Sequence, residues 1–429
     1  MGINLTKRNM LIGLLAVLSG LILLRAVRTV FVYPLLLVLL AVFVFAPLKV
    51  CLPTLCFLMP FANIIKLQPG QISLFTVMFL IYVIRTLFKK NSLRRIFLIS
   101  LLFFAAYSFV FSGIEKIITI ATMVCGFAML HDACRSDEYD YKEVLYAFCA
   151  GIIISAVLGL MKDYFPIIAS FVKEATQKVG QGEYVERFSG LCGNPNYYTM
   201  DISVALSCLT VMISKSKPQK LQVLLFAILS VLGILSVSKS FLLVWIVLLL
   251  LLMFYGFRNG GTAFLKLASM FVITGIFIYF FAKESVDTYI FRLTQDSGGS
   301  LSGLTTGRTD IWMNYLKEII KSEKVLLFGN GLGNMLHHAP HNTYLEGLYY
   351  VGVVGMVFYG FVLKMSIPLE KYPRKFIFYL PVIVLLIRFM GIGVFINDCL
   401  WYYLVVIILS LKYEARTEKH SVQGNATNN

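Results

Sequence analysis

Apolar runs dominate the chain. Stretches of roughly 18 residues with few charges recur from end to end, each long enough to cross the ~30 Å hydrocarbon layer as a helix. The pattern predicts about fourteen spans, near 9–25, 29–46, 48–65, 71–88, 95–112, 114–131, 144–162, 196–214, 220–237, 240–257, 262–282, 343–363, 376–394 and 397–412. The third and the last carry the weakest signal, being short or interrupted by proline. The expected class is an all-α polytopic membrane protein of about 12–14 transmembrane helices, forming one integral membrane domain over residues 1–429. Lys7 and Arg8 precede the first run, and no small-residue cleavage site follows, so that run is expected to be retained as a helix.

Between the runs, charge sets an orientation. With the N-terminus inside, Lys89-Lys90 with Arg94-Arg95, then Lys215, Lys217 and Lys220, then Arg258, then Lys371 with Arg374-Lys375 all fall in cytoplasmic loops. The tail 413–429 joins them, with Arg416 and Lys419 just beyond Lys412. Arg25 and Arg28 dissent from a very short loop, and the bias of the other loops outweighs them. This orientation places the chain in a cytoplasmic membrane with both termini in the cytoplasm. Two long loops then fall outside, 163–195 and 283–342. Counting from Lys162, the first balances Lys162, Lys173, Lys178 and Arg187 against Asp163, Glu174, Glu183 and Glu186. The second has six basic and six acidic residues. Within it, Ile311, Trp312, Tyr315, Leu316, Ile319 and Ile320 recur at helical spacing after Thr309-Asp310, which predicts a capped amphipathic surface helix.

Composition agrees with lipid as the solvent. The chain of 429 residues is 59% hydrophobic and 14% charged, with a mean hydropathy of +0.81. A soluble core does not grow large enough to hide that much apolar surface. The net charge of +16 is laid out as a topology signal, so no nucleic-acid partner is expected. The eight cysteines include no CxxC pair and fall mostly within spans or inward loops, which argues against a disulfide framework, a zinc site or redox chemistry.

The chemistry-capable residues gather in the outer loops. Arg187 stands in Arg-Phe-Ser-Gly-Leu-Cys-Gly-Asn-Pro-Asn, where Gly190 and Gly193 permit close backbone approach to a ligand and Pro195 suits the first turn of a helix. An arginine fork beside a helix N-terminus fits a phosphate or pyrophosphate. The alternative is an interfacial arginine paired with Glu183 or Glu186. Arg308 follows a Ser-Gly-rich stretch, and its alternative is snorkelling to lipid headgroups. Lys239, in Leu-Ser-Val-Ser-Lys-Ser, either faces an anionic ligand or snorkels. Arg388 and Asp398, near the outer end of the last hairpin, are expected to pair. His341 lies at the start of the twelfth span, where an imidazole suits proton abstraction from a hydroxyl. His337 and His338 lie close by, but His-His-x-x-His is not a helical zinc spacing and no carboxylate completes it, so neither metal nor cofactor is expected.

Taken together these segments resemble the O-antigen ligase and polysaccharide polymerase superfamily of bacterial membrane glycosyltransferases. The resemblance rests on Arg187-Phe-Ser-Gly190 with Asn194-Pro195-Asn196, on Gly307-Arg308-Thr-Asp-Ile-Trp312, on Phe328-Gly-Asn-Gly-Leu-Gly333, and on His341-Asn342-Thr-Tyr344 with Gly352 and Gly355. It implies a GT-C-like, metal-independent enzyme whose donor is a glycan on undecaprenyl pyrophosphate. It makes Arg187 and Arg308 the pyrophosphate clamp and His341 the base. Asn194, Asn196, Lys239, Asn342 and Tyr344 are the implied substrate-binding residues. Lys239 departs from the arginine that relatives often carry, keeping the charge and losing the fork. The expected function is a polymerase that joins lipid-linked repeat units. A ligase passing a finished glycan to another acceptor shares the same motifs. A flippase for lipid-linked glycans is a rival of another class, and it should place charges in mid-span. Implied partners are the lipid-linked oligosaccharide, membrane lipid, and a chain-length regulator and flippase of the same pathway.

Overall fold

The computed structural model describes residues 2–89, 94–172, 175–179, 183–215, 219–258, 261–294, 307–368 and 375–426. Its helices are α1 (Gly2–Val27), α2 (Val32–Phe45), α3 (Leu48–Leu58), α4 (Leu74–Lys89), α5 (Arg95–Ser112), α6 (Ile117–Arg135), α7 (Tyr141–Leu160) and α8 (Pro166–Phe171). A hairpin, β1 (Ala175–Val179) and β2 (Glu183–Arg187), follows. Then come α9 (Pro195–Lys215), α10 (Lys220–Ile234), α11 (Lys239–Arg258), α12 (Gly261–Phe281) and α13 (Lys283–Thr294). The chain continues through α14 (Arg308–Lys321), α15 (Glu323–Phe328), α16 (Thr343–Ser366), α17 (Leu380–Phe389) and α18 (Cys399–Ala426).

Among the described residues, seven segments are long and apolar enough to cross a membrane: Asn9–Val27, Arg95–Ser112, Ile114–Arg135, Tyr141–Leu160, Pro195–Ser214, Lys239–Arg258 and Thr343–Ser366. The chain is thus a helical polytopic membrane protein. Several predicted spans prove shorter. The run 48–65 is helical only over the eleven residues of α3 and a following turn, about half the thickness of the hydrocarbon layer. Pro47 precedes it, Pro53 lies inside it, and it is buried almost all round. It packs on α7, where a side chain at Gly151 would meet the Phe57 carbonyl oxygen at 2.3 Å, so protein rather than lipid surrounds it. The run 376–394 is helical only to Phe389. The tail expected to begin at 413 instead continues α18 to Ala426.

The predicted loops hold regular structure. Segment 163–195 carries α8 and the antiparallel hairpin, in which Ala175 pairs with Arg187 and Val179 with Glu183. Segment 283–342 carries α13, α14 and α15. The amphipathic helix is present as α14, with Tyr315 and Ile319 buried and Met313 and Ile320 exposed. Its cap differs from expectation: Gly307, at φ 76°, occupies the N-cap position with no side-chain bond, so Thr309 and Asp310 do not cap it. Residues 297–306 before Arg308, and Lys90, Lys173, Glu174, Lys217, Lys371 and Arg374, lie outside the described residues.

The chain divides into two compact units. The first comprises Met1–Tyr82 and Glu138–Ile290. At its centre stands α9, of which 94% of the apolar window is buried, against 28% for α11. Helices α7, α10 and α11 pack around it. Its interior hydroxyls, Ser203, Ser207, Thr210 and Ser214, donate to carbonyls one turn back, which satisfies polar groups where no water competes.

The second unit comprises Val83–Asp137 and Phe291–Asn429. Here α16 packs on α5 and α6, and α18 on α6. Helix α16 is broken at Gly352, whose φ is 64°. The segment Phe328–Gly333 crosses the break. Asn330 N–H donates to the Tyr349 carbonyl at 2.7 Å and Gly331 N–H to the Tyr350 carbonyl at 3.0 Å. The Tyr107 hydroxyl of α5 donates to the Val351 carbonyl at 2.7 Å. A side chain at Gly352 would stand 2.5 Å from the backbone of Leu327 and Phe328, and one at Gly329 would stand 2.4 Å from the Tyr350 oxygen. The glycines of this motif therefore serve a crossing of two backbones.

Candidate functional site

In the first unit, the last residue of β2 reaches the turn between α10 and α11. Arg187 Nε–H donates to the Ser236 carbonyl at 3.0 Å, and Nη2–H to Asn196 Oδ1 at 3.4 Å. The same Asn196 oxygen accepts from the Ser238 hydroxyl at 3.3 Å. Asn194 Oδ1 accepts from Asn196 N–H at 2.9 Å, an N-cap on a helix that Pro195 begins, as the sequence predicts. Lys239 starts α11 beside Ser238, and its Nζ is buried. Arg187, Asn194, Asn196 and Lys239 thus belong to one cluster at the joined N-terminal ends of two helices, a setting whose dipoles and cations favour an anion. Glu186 instead pairs with Lys162, and the side chain of Glu183 lies outside the described residues.

Gly190 has another role from the one its motif suggested. At φ 53°, it lies against α7, where a side chain on Gly159 would meet Gly190 Cα at 2.8 Å. The Ser155 hydroxyl accepts from Leu191 N–H at 3.0 Å. The close approach that glycine permits is made to a helix, which fixes the loop leading into α9.

In the second unit, Arg308 Nη1–H donates to the Gly391 carbonyl at 2.7 Å. The next carbonyl, of Ile392, accepts from the Thr343 hydroxyl at 2.7 Å, and Val394 N–H donates back to Thr343 Oγ1 at 3.2 Å. Arg308 and the start of α16 therefore grip adjacent residues of one extended segment. His341 stands two residues before Thr343. Burial, then the Arg308 guanidinium, then His338 push its pKa below the usual histidine value, so the imidazole is neutral at neutral pH. Asn342 Oδ1 accepts from the N–H groups of Tyr344 and Leu345 at 3.0 and 3.1 Å, so this oxygen caps α16. The Tyr344 hydroxyl donates to the Leu386 carbonyl at 2.9 Å. His337 and His338 are exposed, and among the described residues no three His, Cys, Asp or Glu side chains gather as metal ligands.

Among the described residues, the non-glycine positions with left-handed backbone are Val237, at φ 49°, and His341, at φ 48°. One lies in each cluster. Such conformations cost about 1–3 kcal/mol and persist where neighbours over-determine them, commonly at functional sites. Sequence reading singled out His341 without its left-handed backbone, and overlooked Val237, Ser236, Ser238 and Glu346. A carboxylate within an apolar span was the available signal for Glu346. Arg187, Asn194, Asn196 and Lys239 fall in the first unit, and Arg308, His341, Asn342 and Tyr344 in the second. Compared with known proteins, the chain matches no family model and no curated sequence.

Proposed function

We propose that the protein is a membrane glycosyltransferase that joins lipid-linked oligosaccharide units, of the O-antigen ligase and polymerase type that its motifs resemble. The observation that carries the reading is that Arg308 and the first turn of α16, directly after His341, hold the adjacent Gly391 and Ile392 carbonyls. A base must be unprotonated to accept a proton, and burial beside a cation keeps it so. In the proposed step the acceptor hydroxyl oxygen bonds to the anomeric carbon of the donor while its proton passes to His341. The anomeric carbon–oxygen bond breaks, and its electron pair leaves with the lipid pyrophosphate. The Arg308 guanidinium offsets the charge that builds there. The result is one inverting displacement, placed at the outer face of the cytoplasmic membrane.

The buried ionisable groups bear on the transport alternative. Arg25, His131, Asp132, Asp201, Glu346, Arg388 and Glu414 are all buried, yet each lies within about two turns of the end of an apolar helix or span rather than at mid-depth. A path across the bilayer needs charge at mid-depth, so this distribution supports group transfer over transport.

The test is His341→Ala in proteoliposomes supplied with undecaprenyl-pyrophosphate oligosaccharide. Turnover is expected to fall by about 10²–10⁴-fold, with insertion and donor binding retained. Near-normal turnover would overturn the reading. Polymer formed from lipid-linked units alone marks a polymerase, whereas product formed only with a different added acceptor marks a ligase.

A further inference from the structure

We propose that Glu346 is a positioning residue for this chemistry, fastening the backbone segment Gly391–Phe395 as a strap that sets Arg308 beside His341. The inference rests on the glycosyl-transfer reading for its activity arm only.

The strap leaves α17 and reaches α18 without helix. Three side chains fasten it along its length. Arg308, from α14, holds the Gly391 carbonyl at 2.7 Å. Thr343, in the first turn of α16, holds the Ile392 carbonyl at 2.7 Å and the Val394 N–H at 3.2 Å. Glu346, three residues further along the same helix, accepts from the Phe395 N–H at 3.2 Å through Oε2. Glu346 is only 6% exposed. Its other oxygen lies so close to the strap that a side chain on Gly393 would come within 1.8 Å of Oε1. The carboxylate fits the glycine backbone there, with no room for another residue.

A buried carboxylate is expensive in a membrane helix, and an apolar residue would pack there at lower cost. Its retention is explained by the acceptor it offers to a backbone N–H that lies outside any helix and would otherwise be left bare in an apolar setting. Because Arg308 is tied to the far end of the same strap, the geometry makes its place relative to His341 depend on both fastenings of α16. The titratable and charged groups that face His341 are Arg308 from α14 and His338 from its own loop. Loosening the strap withdraws one of these and admits water.

The test compares Glu346→Ala with Glu346→Gln, since glutamine keeps an oxygen acceptor and gives up the charge. Two readouts are taken. The first is the pH dependence of carbethoxylation of the His341 peptide, followed by mass spectrometry, which needs no activity. The second is turnover, with His341→Ala run in parallel. Glu346→Ala is expected to move the His341 titration upward, toward 6.5, and to lower turnover by about a hundredfold, as a misplacement near 1 Å does. Glu346→Gln is expected to restore most of both. An unmoved titration in Glu346→Ala overturns the proposal, whatever the turnover. Equal damage from alanine and glutamine also overturns it, because the charge and not the acceptor would then matter. If His341→Ala remains active, the glycosyl-transfer reading fails while the titration still decides the strap. If Glu346→Ala does not fold, Thr343→Val against Thr343→Ser asks the same question at the neighbouring fastening, with the same two outcomes.

Discussion

Arg308 presents a planar guanidinium that a lysine would not reproduce. One N–H is committed to the Gly391 carbonyl, and the planar fork is suited to a pyrophosphate. Arg308→Lys keeps the charge and is expected to lower turnover by about a hundredfold, in line with loss of a donor from an oxyanion site, while donor binding weakens as well. Turnover and donor titration on the purified variant check this. The same residue governs pH dependence. His341 titrates below 6.5 because of burial first and Arg308 second, so activity should hold as pH falls through 6.5 and fail only below it. Arg308→Ala removes a cation that disfavours imidazolium and should move this acid limb upward, with the larger burial contribution remaining. The linkage has a matching sign. The unfolded chain takes up this proton at higher pH than the folded one, so His341 weakens the fold as pH drops below 6.5 and has no effect above it.

At the scale of elements, glycines separate into those that serve packing and those that do not. Gly352→Ala adds a methyl 2.5 Å from the backbone of Leu327 and Phe328 on a left-handed residue that alone costs about 1–2 kcal/mol. It should lower the thermal unfolding midpoint in detergent and abolish activity. Gly20→Ala, with nothing within 4 Å, should leave both unchanged, and a fall equal to that of Gly352→Ala would show that the crossing carries no special burden. The long apolar spans were legible because a hydropathy window averages over a whole helix. The same averaging hid α3, whose apolar residues face protein, and Glu346, one carboxylate among many apolar neighbours. The hairpin escaped because Ala-Thr-Gln-Lys-Val and Glu-Tyr-Val-Glu-Arg lack a continuous apolar face, although Gly180-Gln-Gly182 between them is a turn signal. Gly190 was assigned to ligand approach because spacing along the chain does not reveal that α7 stands against it.

For the whole molecule, the proposed glycosyl transfer needs Arg187 as well as Arg308 and His341. Arg187→Ala is therefore expected to lower turnover by about a hundredfold, read in the same proteoliposome assay. Unchanged turnover in Arg187→Ala would remove the first unit's cluster from the reaction. Guanidinium groups can supply the positive charge that a divalent ion supplies elsewhere. Turnover is accordingly expected to survive chelation, and its loss, with restoration by one particular metal, would return His337, His338 and His341 to consideration as ligands.

The broken helix α16 bears on how the protein is made. When its residues first enter the bilayer, the carbonyls of Tyr349, Tyr350 and Val351 lack the donors that Asn330, Gly331 and Tyr107 later provide, and each bare carbonyl costs several kcal/mol in hydrocarbon. An insertion machinery that releases segments singly into lipid would thus find this one unfavourable to discharge. The stretch must stay sheltered until the glycine crossing and α5 close on it. His341 directly precedes the same helix, so on the glycosyl-transfer reading the candidate base takes up its place only at that docking event.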